Sequence, residues 1–279
     1  RSWRSGPRAS SARRRSSIST PEGALLDVRD LRVSFGGLRA VDGATFAVRE
    51  GSITALIGPN GAGKTTAFNL LTGFVTAEGG TVTFDGRDIS GQSPDAISRQ
   101  GMVRTFQLTR VLAKMTVLEN VMLAAPAQPG ERLDTALFRP RRWRRREAEV
   151  RDQAMEMLGE VGIHTHAKEY AATLSGGQRK LLELARALMT EPRLVLLDEP
   201  MAGVNPTLGH RLLDYLQRLR EERGLTVLFV EHDMDVVMGV SEEVIVMAQG
   251  AVIAQGTPEE VRTDPAVIDA YLGAEPAAA

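Results

Sequence analysis

The sequence predicts an α/β fold, on three observations. A glycine-rich loop follows the apolar segment at residues 52–57, and residues 64–71 then show a helical pattern. Residues from about 109 to 173 carry apolar side chains at helical spacing. Short apolar segments that suit buried strands return at residues 194–197, 226–230 and 244–247. We therefore expect a helical subdomain inserted into an α/β core.

A second group of strands is predicted near the start of the chain. Residues 25–33 and 43–48 alternate apolar and polar side chains, which is typical of strands with one face in water. Residues 81–84 have the same character, and Asp85-Gly86 after them mark a turn. These segments predict a further group of strands near the start of the chain.

Composition excludes some classes of function. The chain has 279 residues, a formal net charge of −1 and 43% hydrophobic residues, as in ordinary globular proteins. It has no cysteine, which excludes a disulfide framework and thiolate chemistry. No apolar run approaches the roughly 20 residues of a membrane-spanning helix. We therefore expect a protein that is soluble or peripheral to a membrane.

The N-terminal segment differs from the rest of the chain. Its first 20 residues contain six arginines and many serines, and no acidic residue. Such a segment buries too little apolar surface to order itself, so we expect residues 1–22 to be a disordered tail. An organellar transit peptide is the alternative, although no amphipathic period is visible.

The strongest motif lies at residues 58–66. The run Gly58-Pro59-Asn60-Gly61-Ala62-Gly63-Lys64-Thr65 matches G-x-x-x-x-G-K-[ST], and Thr66 follows it. Glycines let backbone N–H groups surround phosphate oxygens, Lys64 neutralises β- and γ-phosphate charge, and the Thr65 hydroxyl suits Mg²⁺. A plain glycine turn before a helix is the alternative. The sequence therefore predicts a nucleotide site.

Two adjacent carboxylates follow the predicted strand at residues 194–197. Taken alone, Asp198 and Glu199 would more often form a turn or a helix cap. Together with a phosphate-binding loop they indicate catalysis, so we expect Asp198 to face Mg²⁺ and Glu199 to face an attacking water.

Two more polar residues lie at junctions of the predicted elements. Gln107 stands where the core gives way to the helical block, and its amide can touch Mg²⁺ or water and report movement there. His232 follows the strand at residues 226–230 and can hydrogen-bond a γ-phosphate. A lone glutamine is ordinarily a surface residue and a lone histidine is more often structural.

A second phosphate-binding loop is predicted at Leu174-Ser175-Gly176-Gly177-Gln178. A serine followed by two glycines can present a hydroxyl and backbone N–H groups to a phosphate, at the positive end of the helix that follows. The chain already has one complete phosphate site. The second loop therefore indicates that this chain binds nucleotide held by another copy of itself.

The run Arg139-Pro140-Arg141-Arg142-Trp143-Arg144-Arg145-Arg146 has three interpretations. A solvated loop and helix start is favoured, since charge runs usually face water. Arginine and tryptophan also suit nucleic acid, and basic segments attract anionic lipid head groups.

In this order, the motifs resemble those of the nucleotide-binding subunits of ABC transporters. The resemblance covers residues 24–273 and implies a P-loop NTPase with a RecA-like core, an antiparallel β region and an inserted α-helical subdomain. It implies a tail at residues 1–22, an ATPase domain at residues 23–258 with a helical subdomain at about 108–180, and a C-terminal segment at residues 259–279.

The same resemblance implies ATP and Mg²⁺ as cofactors and gives the residues their roles. Phe35 matches the aromatic residue that stacks on adenine, Glu199 the general base and His232 the γ-phosphate contact. Residues implied to bind the nucleotide in cis are Phe35, Gly58, Pro59, Asn60, Gly61, Ala62, Gly63, Lys64, Thr65, Thr66, Gln107, Asp198 and His232. The metal ligands are Thr65, Gln107 and Asp198, and the catalytic residues are Lys64, Gln107, Glu199 and His232. Residues implied to bind it in trans are Ser175, Gly176, Gly177 and Gln178.

A finer resemblance is to the larger ATPase of importers of branched-chain amino acids. It rests on residues 104–107, 115–121, 198–206, 231–234 and 256–273, although Met201 replaces a small residue. It implies a place on the cytoplasmic face of the plasma membrane, with two transmembrane permeases and an extracytoplasmic substrate-binding protein as partners. The second ABC ATPase is expected to be a non-identical sister, with a homodimer as the alternative, and no nucleic acid is expected.

Three other functions stay open at this stage. Urea and other amide importers use very similar ATPases. An ABC ATPase that acts on nucleic acid usually carries two cassettes or a long coiled coil, which this sequence lacks. A regulatory subunit that scarcely hydrolyses ATP is disfavoured, because Gln107, Glu199 and His232 are all present.

Overall fold

The computed structural model describes residues 23–105, 111–126 and 140–272, and of residues 140–143 it describes the backbone only. In these ranges the strands are β1 (Ala24–Phe35), β2 (Leu38–Arg49), β3 (Ile53–Ile57), β4 (Gly79–Phe84), β5 (Arg87–Asp88), β6 (Met102–Arg104), β7 (Leu194–Asp198), β8 (Thr226–Val230), β9 (Glu243–Ala248) and β10 (Ala251–Gly256). The helices are α1 (Lys64–Leu71), α2 (Pro94–Arg99), α3 (Val117–Met122), α4 (Pro140–Glu160), α5 (Gly176–Met189), α6 (Pro206–Arg223), α7 (Met234–Val240), α8 (Pro258–Thr263) and α9 (Pro265–Leu272). The predicted disordered tail at residues 1–22 lies outside the described residues.

The strands form two sheets, and the predicted α/β fold is confirmed. One sheet has four strands in the order β2-β1-β4-β5, and all of its pairs are antiparallel. The other has six strands in the order β10-β9-β3-β8-β7-β6, and its pairs are parallel except for β10 with β9. The helix predicted at residues 64–71 is α1, with the same bounds.

The central strands of the six-stranded sheet are buried on both faces. Every residue of β3, β7 and β8 is buried, which explains why these segments are continuous apolar runs rather than alternating ones. In the register, Leu56 and Asp198 both pair with Val230. The chain therefore leaves these three parallel strands at one common edge of the sheet, and functional side chains placed just after them lie close together.

The helical block between β6 and β7 is joined to the core through apolar contacts. Residues of α3, α4 and α5, such as Val121, Leu158 and Leu181, belong to the same buried cluster as Val195 of β7. Thr116 is the N-cap of helix α3 and forms a capping box with Glu119. The sequence analysis predicted helical structure here, but the block also contains two short 3₁₀ turns, His164–His166 and Ala171–Thr173.

The C-terminal part of the fold was not predicted as strand and helix. Strand β10 is half-buried along its whole length, so it lacks the continuous apolar signal of the central strands. Helices α8 and α9 follow it, and Val261 and Val267 anchor them in the core. In the part of the chain that the structure describes, no helix has the length and apolar character needed to cross a lipid bilayer.

Candidate functional site

The phosphate-binding loop links β3 to α1 and depends on its glycines. Gly58, Gly61 and Gly63 have φ angles of 146°, 77° and 99°, in the region that favours glycine. A Cβ atom on Gly58 would lie 2.0 Å from the Met247 carbonyl oxygen, and one on Gly63 would lie 2.4 Å from that of Ala40. Larger residues at Gly58 and Gly63 would therefore displace the loop from the core.

Lys64 begins α1 and folds back over the loop. Its side chain is buried, and Nζ donates hydrogen bonds to the carbonyl oxygens of Gly58 at 2.6 Å and Pro59 at 3.1 Å. Burial lowers the pKa of the Lys64 ammonium below its usual value, and the negative charges of Glu199 and Asp198 partly oppose that shift. The lysine is thus a partly desolvated cation held by neutral acceptors, which an anionic phosphate can replace.

An open pocket of about 590 Å³ lies over this loop. Residues 60–66 line it together with Phe35, Glu199 and His232, all of which the sequence analysis assigned to the site. Phe35 ends β1 and is 52% exposed at the pocket rim. Its stacking on adenine stays a prediction.

Asp198 ends β7 as a buried carboxylate. Its Oδ2 accepts a hydrogen bond from Arg104 Nη2 at 2.8 Å in an ion pair that is almost fully buried, and its Oδ1 is buried without a hydrogen-bond partner. Arg104 also donates to Asn69 Oδ1 and lies over the Phe68 ring. The sequence analysis did not give Arg104 a role in the site. A signal was available, because a carboxylate at the end of a buried strand needs a cation as its partner, and this would have pointed to a nearby arginine or lysine.

The residues present suit a bound Mg²⁺ ion. Magnesium prefers a few protein oxygen ligands and completes its shell with waters and substrate phosphates. Asp198 Oδ1 is an unpartnered carboxylate oxygen, and Thr65 exposes its side chain at the start of α1. The third predicted ligand, Gln107, lies outside the described residues. Among the described residues no cluster of three His, Cys, Asp or Glu side chains forms a metal cage.

Glu199 and His232 come together at the edge of the sheet. His232 Nε2 lies 3.1 Å from Glu199 Oε1, and both side chains are partly exposed to the pocket. The backbone of Glu199 has a φ of 49°, and its N–H donates to the Val230 carbonyl oxygen. Lys180 Nζ, from α5, donates to the Glu199 carbonyl oxygen at 2.9 Å. The sequence analysis named Glu199 and His232 but missed their pairing and the role of Lys180.

A buried carboxylate, Glu231, holds the backbone next to this pair. Glu231 is 5% exposed, and its two oxygens accept from the backbone N–H groups of Met201 at 2.8 Å and His232 at 3.2 Å. Met201, the residue that departs from the subgroup pattern, has its sulfur 3.2 Å from the point where a Cβ on Gly209 would lie. Gly209 thus leaves the space that the longer Met201 side chain occupies.

The second loop forms the start of α5. Ser175 is its N-cap, and Ser175 Oγ accepts from Gln178 N–H while Gln178 Oε1 accepts from Ser175 N–H at 2.8 Å. A Cβ on Gly177 would lie 2.6 Å from the Gly203 carbonyl oxygen. With Asn205, these residues line a separate open hollow. None of the described residues of this loop lines the pocket over Lys64.

Several contacts around the phosphate-binding loop come from distant parts of the chain. The turn after β9 meets the loop where Gly250 N–H donates to the Ala62 carbonyl oxygen at 3.0 Å, and Gln249 lines the pocket. In α9, burial raises the pKa of Tyr271, and the backbone amide of Gly58 partly offsets that shift. Sequence reasoning missed these contacts because no local sequence pattern identifies a contact partner about 200 residues away.

The strand, glycine loop and helix around a buried lysine, with carboxylates at the neighbouring strand end, define a P-loop nucleotide-binding ATPase. The family model described as "ABC transporter" matches residues 41–202. The chain therefore belongs to the ABC transporter family and is an ATPase. A second model, described as "Branched-chain amino acid ATP-binding cassette transporter", matches residues 251–277.

Individual relatives agree with this assignment. The chain is 45% identical to the high-affinity branched-chain amino acid transport ATP-binding protein BraF of Pseudomonas aeruginosa, over 89% of this chain and 98% of that protein. It is 44% identical to the corresponding protein LivG of Salmonella typhimurium, with the same coverage. Among solved structures, a nucleotide-free ATP-binding cassette from an ABC transporter is similar with a TM-score of 0.75 and 36% identity, covering 89% of this chain and 98% of that chain.

Proposed function

We propose that this chain is the ATP-hydrolysing subunit of an importer of branched-chain amino acids. The observation that carries the catalytic part is the contact of Glu199 with His232 in the pocket that also exposes the loop around Lys64. A carboxylate at this place can accept a proton from water that attacks the γ-phosphate, and the histidine can hold that carboxylate and contact the phosphate.

The loop residues bind and orient the nucleotide in this proposal. Backbone N–H groups of residues 60–66 surround the phosphates, Lys64 turns from its carbonyl acceptors to the β- and γ-phosphates, and Phe35 stacks on the base. Thr65, Asp198 and Gln107 would hold Mg²⁺, which neutralises phosphate charge when it is bound. Asp198 keeps its ion pair with Arg104, so its orientation is fixed before the ion binds.

The separation of the two phosphate-binding loops supports a dimer. Ser175 and Gly177 line a hollow apart from the pocket over Lys64, so the chain's own second loop is not positioned to complete its own site. In the proposed dimer, the residues Ser175, Gly176, Gly177 and Gln178 of each subunit face the nucleotide of the other. A non-identical sister ATPase is the proposed partner.

The substrate assignment rests on the C-terminal region and on the relatives. Residues 251–277 match the branched-chain amino acid model, and the relatives BraF and LivG carry that substrate in their names. We extend the assignment to two permease subunits, an extracytoplasmic binding protein, and a position on the cytoplasmic face of the plasma membrane.

The substitution Glu199→Gln tests the catalytic role. We expect the variant to bind ATP with wild-type affinity but to lose steady-state turnover by about 10²–10⁴-fold, since the amide cannot accept the proton. Turnover is measured by phosphate release and binding by titration with a fluorescent ATP analogue. Glu222→Gln, an exposed site on α6, is the matched control and should leave both unchanged. Substantial hydrolysis by Glu199→Gln would remove Glu199 from the role of base.

The same variants test the substrate in cells. Deletion of the gene should lower uptake of labelled leucine, isoleucine and valine, and wild-type protein but not Glu199→Gln should restore it. Loss of urea uptake with normal leucine uptake would overturn the substrate assignment while leaving the ATPase intact.

A further inference from the structure

His166 lies next to the second phosphate-binding loop, outside the pocket over Lys64. It ends the 3₁₀ turn His164–His166, and its Nε2 is 2.9 Å from Gln178 Nε2. Its side chain is 30% exposed. The sequence analysis gave His166 no role in the site, since it does not follow a core strand.

The hydrogen-bond network fixes the protonation pattern of this contact. Gln178 Oε1 already accepts from Ser175 N–H at 2.8 Å, so the amide presents its NH₂ group to the histidine. His166 Nε2 must then be the acceptor, which places the ring proton on Nδ1. Nδ1 lies 3.1 Å from Glu169 Oε1. That contact lacks the geometry of a hydrogen bond, so the placement of the ring proton rests on the contact with Gln178.

His166, Gln178 and Ser175 thus form a continuous chain of contacts. Gln178 makes both halves of the capping box with Ser175, through its side-chain oxygen and its backbone N–H. A rotation of the Gln178 side chain would release the Ser175 backbone, and the contact with His166 opposes that rotation. The direction of these hydrogen bonds sets the orientation of the Gln178 amide.

We propose that His166 is a positioning residue for ATP hydrolysis. It holds Gln178 in the orientation that presents Ser175 and Gly177 to the nucleotide of the opposing subunit. This inference rests on the proposed dimeric ATPase, and it adds a residue that does not itself touch nucleotide.

The first test measures loop order in the isolated full chain and does not depend on catalysis. Hydrogen exchange of the peptide that spans residues 174–178 should be about three- to tenfold faster in His166→Ala, the effect of losing one hydrogen bond. His166→Gln should restore slow exchange, because its Oε1 can accept from Gln178. His166→Leu fills similar space without an acceptor and should behave like the alanine variant.

The second test measures kcat and KM for ATP in the assembled transporter. His166→Ala should lower kcat about three- to tenfold with KM and the ATP Kd unchanged, since the pocket over Lys64 is intact, and His166→Gln should recover most of the wild-type rate. Equal exchange rates and equal kcat in the wild type and His166→Ala would overturn the inference, as would a His166→Gln variant as impaired as alanine. An inactive wild type would instead contradict the proposed function, and the exchange result would still decide the role of His166.

Discussion

The loops at residues 58–66 and 174–178 each precede a helix, and they differ in how their polar groups are satisfied. In the first, Lys64 carries a charge that is partly desolvated, and it donates its hydrogen bonds to carbonyl oxygens of its own loop. In the second, Ser175 and Gln178 satisfy each other in a neutral capping box. The first loop is set in the core between β3 and α1, whereas Ser175 is exposed.

This difference suggests separate roles for the two loops, with the first binding the nucleotide and the second completing the site. A partly desolvated cation is strongly stabilised by the charge of a bound phosphate. In the proposed function, the first loop therefore supplies the affinity for nucleotide. A preformed neutral loop at a helix N-terminus gains less free energy from binding phosphate on its own. It does present ordered hydrogen-bond donors to a phosphate that another loop already holds. In the proposed function, the chain therefore binds nucleotide through its first loop, and the second loop of another subunit encloses it.

Among tests of this difference between the two loops, the largest expected effect is loss of the charge in the first loop. Lys64→Ala removes the only charged side chain among residues 58–66, and we expect kcat to fall about 10²–10³-fold with weaker ATP binding. Phosphate release and nucleotide titration measure the two effects. Lys168→Ala, at an exposed site in the helical block, removes the same charge elsewhere and should change neither. Normal turnover in Lys64→Ala would contradict the assignment of affinity to the first loop.

An intermediate effect is expected in the second loop from Gly177→Ala. The added Cβ would meet the Gly203 carbonyl oxygen, so we expect a loss of about 1–3 kcal/mol in the free energy of unfolding and a lower Tm. Gly176→Ala is the matched control, because a Cβ there meets nothing within 4 Å and alanine favours the helix. Thermal unfolding of the isolated chain compares the two. Equal stability of both variants would show that contact with Gly203 does not fix this loop.

The smallest expected effect is proton uptake on nucleotide binding. Burial lowers the pKa of Lys64 in the free chain, and bound phosphates favour the charged form, so binding raises that pKa again. At alkaline pH, a fraction of the free chains lacks this proton and must take it up when ATP binds. We expect uptake to increase from pH 7.5 to 9.5, measured by calorimetry in buffers of different ionisation enthalpy. Uptake that stays constant over this range would show that Lys64 remains fully protonated in the free chain.

The motifs of the site were visible in the sequence because each is a short local pattern. The run from Gly58 to Thr66, the pair Asp198-Glu199 and the run from Leu174 to Gln178 need only neighbouring residues to be recognised. Strands β7 and β8 were predicted because both of their faces are buried, which leaves an uninterrupted apolar run. Strand β10 was missed because its half-buried residues give no such run.

The sequence alone determined the class of fold, and it marked the loops at residues 58–66 and 174–178 and the carboxylate of Glu199 as candidates for the site, since these depend on patterns within about ten residues. Only the tertiary structure decided which distant groups form hydrogen bonds and ion pairs with these site residues. Arg104 reaches Asp198, His232 reaches Glu199, and Lys180 holds the Glu199 backbone from α5. Such contacts join residues far apart in the chain because parallel strands end at one edge of the sheet. Their partners are therefore fixed by strand order and helix packing, which local sequence does not encode.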